Sequence, residues 1–138
     1  MIPRYARPAM TKIWEPDNRF RIWFEIEAHA CDAMAGLGII PREAAKAIWD
    51  GGAKAMAALK ADPAGNVEKI DAIERVTKHD VIAFTTAVAE KAGPSARWLH
   101  FGLTSSDVID TAQALQMRDA CDLILESLRA LMAAVRDR

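Results

Sequence analysis

The sequence predicts an all-α fold: a small N-terminal helical domain over residues 1–103, followed by the first, truncated helix of a long central helical bundle over residues 104–138. Apolar residues recur at steps of three and four through the long segments, which is the period of an amphipathic helix. No segment alternates apolar and polar residues as a half-buried strand does. With 138 residues, 51% of them hydrophobic and 27% charged, the chain has the size and composition of one globular domain, or of one domain and part of another.

The first residues contain two prolines and an arginine–tyrosine pair. Pro3 and Pro8 predict an extended segment over residues 1–9. Arg4 next to Tyr5 places a planar, permanently charged fork beside a phenol. Such a pair suits a phosphate group, and it also occurs as a solvated pair on protein surfaces.

Several helices are expected before residue 94, and glycine or proline marks two of the breaks between them. Asp50-Gly51-Gly52 is interpreted as a helix stop, because glycine is a poor helix former, and Asp62-Pro63-Ala64-Gly65 as a turn. His29 lies off the apolar stripe of its helix and is expected at the surface or its boundary. The predicted helices cover residues 9–14, 17–37, 41–49, 53–61, 67–76 and a following stretch that ends at Gly93-Pro94.

Two predicted helix starts carry polar groups near a histidine. Thr77 and Asp80 have the spacing of a capping box, which places His79 in the first turn of a helix. Thr104 and Asp107 have the same spacing, with a further histidine four residues before the threonine. Helix N-termini offer free N–H groups and the positive end of the helix dipole, so a shared anion site is one interpretation. Plain capping beside a surface histidine is the other.

Residues from about 105 onward form the longest predicted helix, roughly 50 Å long. Its apolar residues cover more than one face, which indicates burial in a bundle. The preceding residues are too few to enclose it, so we expect its partner helices to come from elsewhere. The sequence has no helix stop signal at its end, which favours the front part of a longer protein or, alternatively, a short chain that oligomerises through this helix. The main stripe contains Met117, Cys121, Ile124, Leu128, Leu131 and Val135.

Composition excludes some classes of binding partner and indicates the cellular compartment. The net charge is −1 and there is no basic run, so nucleic acid and an anionic membrane are poor partner candidates. No stretch has the length of a membrane span and the first residues lack an apolar signal core, so we expect a cytoplasmic protein. Cys31 and Cys121 both lie in helical patterns and are expected to be buried free thiols. No metal-ligand spacing or Gly-rich phosphate loop occurs.

Three motifs in order carry a resemblance to a known family. Arg4-Tyr5 is followed by Arg7-Pro8; the second motif is Lys78-His79-Asp80-Val81-Ile82-Ala83-Phe84; the third is Trp98-Leu99-His100-Phe101-Gly102-Leu103-Thr104-Ser105-Ser106-Asp107. Together they resemble the N-terminal part of the adenylosuccinate lyases, in the fumarase/aspartase superfamily, over essentially the whole chain. The cycloisomerase branch of that superfamily shares part of the third motif but lacks the second, so it ranks as the alternative.

The resemblance implies an activity and a role for each motif. Members of the family eliminate fumarate from adenylosuccinate, giving AMP, and from succinyl-aminoimidazole-carboxamide ribotide in purine biosynthesis, by general acid/base cleavage of a C–N bond without a cofactor. His79 would position the substrate near the scissile bond, and His100 would line the site toward the phosphate. The implied substrate-binding residues are Arg4 and Tyr5 at the phosphate, Lys78, His79 and Asp80 near the scissile bond, and Thr104 and Ser105 at a succinyl carboxylate.

The family also uses segments that these 138 residues do not contain. Its general-acid histidine lies in a later Thr-x-Gly-like segment, and its catalytic serine in a later loop that reads Gly-Ser-Ser-x-Met-Pro-x-Lys. Its members build each site from several subunits of a homotetramer. We therefore expect the 138-residue chain alone to be inactive. An alternative of another class is a non-catalytic helical module that self-associates through its last helix.

Overall fold

The computed structural model describes residues 3–138, which contain six α-helices, two short 3₁₀ helices and no strand. The predicted all-α class is confirmed. The helices are α1 (Pro8–Trp14), α2 (Pro16–Gly36), α3 (Arg42–Ala61), α4 (Pro63–Thr77), α5 (Asp80–Ala92) and α6 (Ser105–Arg136), with 3₁₀ helices at Pro3–Tyr5 and Gly93–Trp98.

The core lies where α2 meets α5. The ring of Phe84 on α5 stacks on Phe20 with centroids 5.4 Å apart and meets Trp23 edge-on at 5.7 Å. All three side chains are buried. Helices α3 and α4 pack against α5, while α6 packs against α1 and α2. Burial of each large apolar side chain contributes about 1.5–3 kcal/mol, so this cluster orients α2 against the rest of the fold.

Helix α3 runs unbroken through the predicted stop at Asp50-Gly51-Gly52, so the prediction of two helices over residues 41–61 is wrong. Both glycines are buried. A Cβ on Gly52 would lie 1.8 Å from Cε2 of Phe24, and one on Gly51 would lie 2.3 Å from Cα of Ala92. The glycines therefore allow α2 and α5 to approach α3 closely. That packing outweighs the cost of about 1 kcal/mol for glycine inside a helix.

Two further predictions near helix starts are also wrong. Pro63 begins α4 rather than a turn, because proline fits the first turn of a helix and Asp62 caps it by accepting from the N–H of Gly65 at 3.0 Å. Residues 3–5 form a 3₁₀ helix where an extended segment was expected, whereas α1 begins at Pro8, within one residue of the predicted helix. Residues 1 and 2 of that segment lie outside the described residues.

The buried residues of helix α6 lie in its N-terminal half; farther along, the guanidinium of Arg7 donates to Oγ of Ser127 at 2.8 Å. The buried residues recur every fourth position from Val108 to Ala120. Among them, the side-chain amide of Gln116 donates to the carbonyl of Ile13 at 2.6 Å, which ties α6 to the end of α1. The described residues leave the remaining apolar surface of α6 uncovered. The exposed large side chains are Met117, Ile124, Leu125, Leu128, Leu131, Met132 and Val135.

The two cysteines differ in environment. Cys31 of α2 is buried, as expected, whereas Cys121 is exposed, so the prediction of two buried thiols is wrong for Cys121. Cys121 follows Ala120, the last buried residue of α6, and lies on the uncovered part of the helix. Burial, and secondarily the charges of Glu27 and Asp32, raise the pKa of the Cys31 thiol to about 11.

Candidate functional site

The third motif is anchored by a buried glutamate of α2. Glu27 accepts from the backbone N–H of His100 at 2.7 Å through Oε2, and its Oε1 lies 2.6 Å from Nδ1 of the same residue. The Glu27 side chain is 1% exposed and that of His100 is 14% exposed. Because an ionised carboxylate only accepts, this geometry places a proton on Nδ1 and leaves Nε2 for another partner.

Helix α2 also fixes the backbone that carries His100. The residue has φ +61°, in the left-handed region that few non-glycine residues adopt and that costs on the order of 1–3 kcal/mol. One turn beyond Glu27, the thiol of Cys31 donates to the carbonyl of Trp98 at 3.5 Å. Two side chains of one helix thus hold the segment in a conformation it would not adopt alone.

The start of α6 has the predicted capping box. The Asp107 carboxylate accepts from the backbone N–H of Thr104 at 2.7 Å and from its hydroxyl at 3.1 Å. These two hydrogen bonds, with a smaller contribution from the nearby His100, lower the pKa of Asp107 below its ordinary value. Within the described chain, no hydrogen bond uses the backbone N–H of Ser105 or Ser106. The third motif thus places free donors beside His100.

In the second motif the cap is not the residue that the sequence predicts. Thr77 is the last residue of α4, since Lys78 adopts φ +54° and ends that helix. His79 is the N-cap of α5, and its Nδ1 accepts from the N–H of Ile82 at 3.4 Å. The expectation of a capping box between Thr77 and Asp80 is therefore wrong: the helix begins at Asp80, and His79 precedes its first turn instead of lying in it.

This arrangement gives His79 the opposite proton placement to His100. Because Nδ1 accepts a hydrogen bond, the neutral ring carries its proton on Nε2 and presents it as a donor. The ring is partly exposed, and Asp80 lies beside it with Oδ1 3.5 Å from Nδ1. Lys78 is exposed next to them. The second motif therefore presents one ring donor, one cation and the carboxylate of Asp80 at the surface.

The first motif is an exposed pair. The guanidinium of Arg4 stacks over the ring of Tyr5 at 4.8 Å, and Tyr5 is 71% exposed. Across residues 3–138, no hydrogen bond, ion pair or ring contact joins this pair to His79 or His100. The structure assembles the residues within each motif and does not link the three motifs directly.

Sequence reasoning missed Glu27. It lies three residues after Phe24 and four before Cys31, so it occupies a core position on the apolar stripe of α2. A carboxylate there is rarely buried unless it is paired, and that is the signal which could have identified it. Its partner His100 lies 73 positions away, and no local pattern points to it.

In the described part of the chain, no cluster of three or more His, Cys, Asp or Glu residues is arranged to hold a metal ion. None of the helices described there combines the length and apolar character needed to cross a membrane. The groups that the motifs present are mainly cations and hydrogen-bond donors: Arg4, Lys78, the Nε2–H of His79 and the free N–H groups at the start of α6. Such groups recognise anions.

Comparison with known proteins identifies the family to which the chain belongs. A family profile described as lyase matches residues 4–138, and the chain therefore belongs to the lyase family. Among individual proteins, it is similar to the adenylosuccinate lyase of Bacillus subtilis (strain 168), with 39% identity over 138 residues, 100% of this chain and 30% of that protein. It is 46% identical over 136 residues to the adenylosuccinate lyase of Synechocystis sp. (strain ATCC 27184 / PCC 6803 / Kazusa), covering 99% of this chain and 29% of that one. The resemblance drawn from the motifs is confirmed.

A solved structure shows the same fold. The fumarate lyase from Mesorhizobium sp. BNC1 matches with a TM-score of 0.72 and 29% identity, over 91% of this chain and 28% of that chain. The present chain thus spans about 30% of the length of the curated relatives it matches.

Proposed function

We propose that this chain supplies the N-terminal part of an adenylosuccinate lyase, which eliminates fumarate from adenylosuccinate and from succinyl-aminoimidazole-carboxamide ribotide. The observation that carries the proposal is the set of anion-recognising groups that the three motifs present, on a chain whose relatives are adenylosuccinate lyases. Both substrates carry a phosphate and two carboxylates, so each motif has an anionic group to bind.

Each motif receives one part of the substrate. Arg4 and Tyr5 hold the phosphate, since an exposed guanidinium over a phenol offers a charged fork and a hydroxyl. Thr104 and Ser105 hold a succinyl carboxylate; the unused N–H groups at the start of α6 support this role. His100 lines the site toward the phosphate.

The second motif lies at the reacting end of the substrate. Lys78, His79 and Asp80 contact the substrate near the scissile C–N bond, where the Nε2–H of His79 is available to an oxygen or nitrogen of the substrate. The elimination needs a base that removes a proton next to a carboxylate and an acid that protonates the departing nitrogen. We assign neither role to a residue of this chain, so other segments complete the site.

The uncovered face of α6 supports assembly. Residues 104–138 begin a central bundle domain after an N-terminal domain over residues 1–103, and copies of the protein associate through that bundle, in the family as a homotetramer. An apolar face of this length is unfavourable in water and favourable between helices. The protein then works in the cytoplasm on small-molecule substrates, without a cofactor, and on neither nucleic acid nor membranes.

The test is to assay the complete protein encoded by the source gene. We expect it to release fumarate and AMP from adenylosuccinate, whereas the 138-residue chain alone gives no turnover. A complete protein that ignores adenylosuccinate would overturn the proposal in favour of the cycloisomerase branch or a self-association module. Turnover by residues 1–138 alone would show that no further segment is needed.

A further inference from the structure

Glu27 commits both carboxylate oxygens to a single residue. One accepts from the backbone N–H of His100 and the other from its ring, and no further partner of Glu27 lies within the described residues. Burial of a carboxylate is unfavourable unless its hydrogen bonds are satisfied. A single oxygen would be enough to anchor the backbone. The second bond acts on the ring alone, because it sets the rotation of the imidazole and places a proton on Nδ1.

The other ring nitrogen of His100 remains available. Nε2 has no partner among residues 3–138, and no unpaired buried side-chain nitrogen or oxygen occurs there, so Nε2 reaches the surface. The side chain around it is largely enclosed. The start of α6 lies close by, since the N–H of Leu103, the residue before the N-cap Thr104, donates to the carbonyl of His100 at 3.4 Å. Nε2 thus reaches the surface on a ring whose other nitrogen is held by Glu27.

We infer that Glu27 is a positioning residue: it keeps the Nδ1–H of His100 in its own hydrogen bond, so that Nε2 faces the substrate phosphate and, once it has taken up a proton from solvent, donates to a phosphate oxygen. The identity of the ligand rests on the function proposed above. The orientation of the ring rests only on the two hydrogen bonds to Glu27. Fixing the ring in advance removes the rotational freedom that binding would otherwise have to restrict. Glu27 itself contacts no substrate.

The proton placement can be measured on the 138-residue chain by long-range ¹H–¹⁵N NMR of the histidine rings. We expect the proton of neutral His100 on Nδ1, where it exchanges slowly because its partner is buried, and that of His79 on Nε2. The two residues serve as contrasting references in one sample. A neutral His100 with a bare Nδ1 and a proton on Nε2 would overturn the inference, and this result needs no variant.

The consequence for binding is measured in the complete lyase. We expect Glu27→Gln to raise KM for adenylosuccinate roughly tenfold, the scale of one lost hydrogen bond to a charged group, with a smaller change in kcat. Glu25→Gln is the matched control, because Glu25 lies on the same helix and pairs with Arg21 at the surface. In the His100→Ala background, Glu27→Gln should add nothing to KM.

The outcomes separate the two proposals. An unchanged KM in folded Glu27→Gln, or a further rise in KM on top of His100→Ala, overturns the positioning role. Absence of adenylosuccinate cleavage by the unmodified complete protein overturns the proposed function, while the ring NMR still decides whether Glu27 orients His100. If Glu27→Gln does not fold, Glu27→Asp retains the charge but shortens the side chain by one methylene, and the same kinetic comparison applies.

Discussion

The ring of Phe24 fills the space that a side chain on Gly52 would occupy: a Cβ built there lies 1.8 Å from Cε2 and 2.0 Å from Cζ of that ring. Phe24 in turn meets Trp49 edge-on, with centroids 5.4 Å apart. The ring therefore packs against two residues of α3. The contact between α2 and α3 depends on the missing methyl group at position 52.

Gly52→Ala should lower the free energy of unfolding by about 1–3 kcal/mol, as overpacking of a filled core does, even though alanine is the better helix former. Urea unfolding followed by circular dichroism measures the change. Gly36→Ala is the control, since a Cβ at Gly36 meets nothing within 4 Å. Equal stabilities of the two variants would show that Phe24 can move aside at no cost.

Asp107→Asn should destabilise the chain at neutral pH and much less in acid. The hydrogen bonds from Thr104 lower the folded-state pKa of Asp107 below its unfolded value of about 3.9. Its stabilising contribution is therefore full above that unfolded value and is lost as the pH falls through the folded-state pKa. Unfolding curves of both proteins between pH 7 and pH 2 test this.

Asp110→Asn is the matched control for that measurement. Asp110 is exposed on the same helix, and its carboxylate accepts no hydrogen bond within the described residues. We expect its stability difference from the parent chain to be small at every pH. A difference for Asp107→Asn that stays constant down to pH 2 would contradict the capping role of the carboxylate.

Local patterns predicted the parts of the fold that local chemistry decides. The apolar period of α2, the box between Thr104 and Asp107 and the exposed stripe of α6 all follow from residues a few positions apart. The continuation of α3 through Gly51-Gly52 does not follow from neighbouring residues, because it depends on Phe24, which packs against Gly52 from another helix. Glycine in a sequence signals a break or a close approach, and only the tertiary structure distinguishes them.

The candidate site also combines features set by neighbouring residues with features set by residues distant in the sequence. Its motif residues were identified by their order in the sequence, and the structure gives each motif a local geometry. The Glu27–His100 pair was missed because hydrogen bonds between residues 73 positions apart leave no periodic signal. The capping role of His79 was also missed, since a histidine ring rarely replaces the hydroxyl or carboxylate expected at an N-cap.

The two thiols should react at very different rates. With the pKa of Cys31 raised to about 11, only about one molecule in a thousand carries the reactive thiolate at pH 8. A chromogenic disulfide reagent should therefore modify Cys121 in the native chain, and Cys31 only after denaturation. Cys121→Ser should abolish the native reaction and leave the denatured one. Rapid labelling of Cys31 in the native Cys121→Ser chain would contradict its burial.

In the complete lyase, Arg4→Ala and His79→Ala should affect different kinetic constants. Loss of a phosphate contact that is equal in ground and transition states raises KM and leaves kcat nearly unchanged. Loss of His79 misplaces the reacting end of the substrate and should lower kcat mainly, by about 10²-fold or more. Steady-state kinetics with adenylosuccinate separates the two. Unchanged substrate binding in Arg4→Ala would show that the phosphate lies elsewhere.

The uncovered stripe of α6 should make the 138-residue chain self-associate, and Leu131→Glu should oppose this. Leu131 is 58% exposed, and its burial against another helix is worth about 1.5–3 kcal/mol, so a charge there should weaken association at least tenfold. Ala133→Glu is the control, because it adds the same charge at a different face of the helix. Ala133 is exposed on the polar face with Glu126 and Arg129. Light scattering over a concentration series gives the mass of each variant. A parent chain that stays monomeric at the highest concentration would contradict the expected burial, whereas equal weakening by both substitutions would assign the effect to net charge.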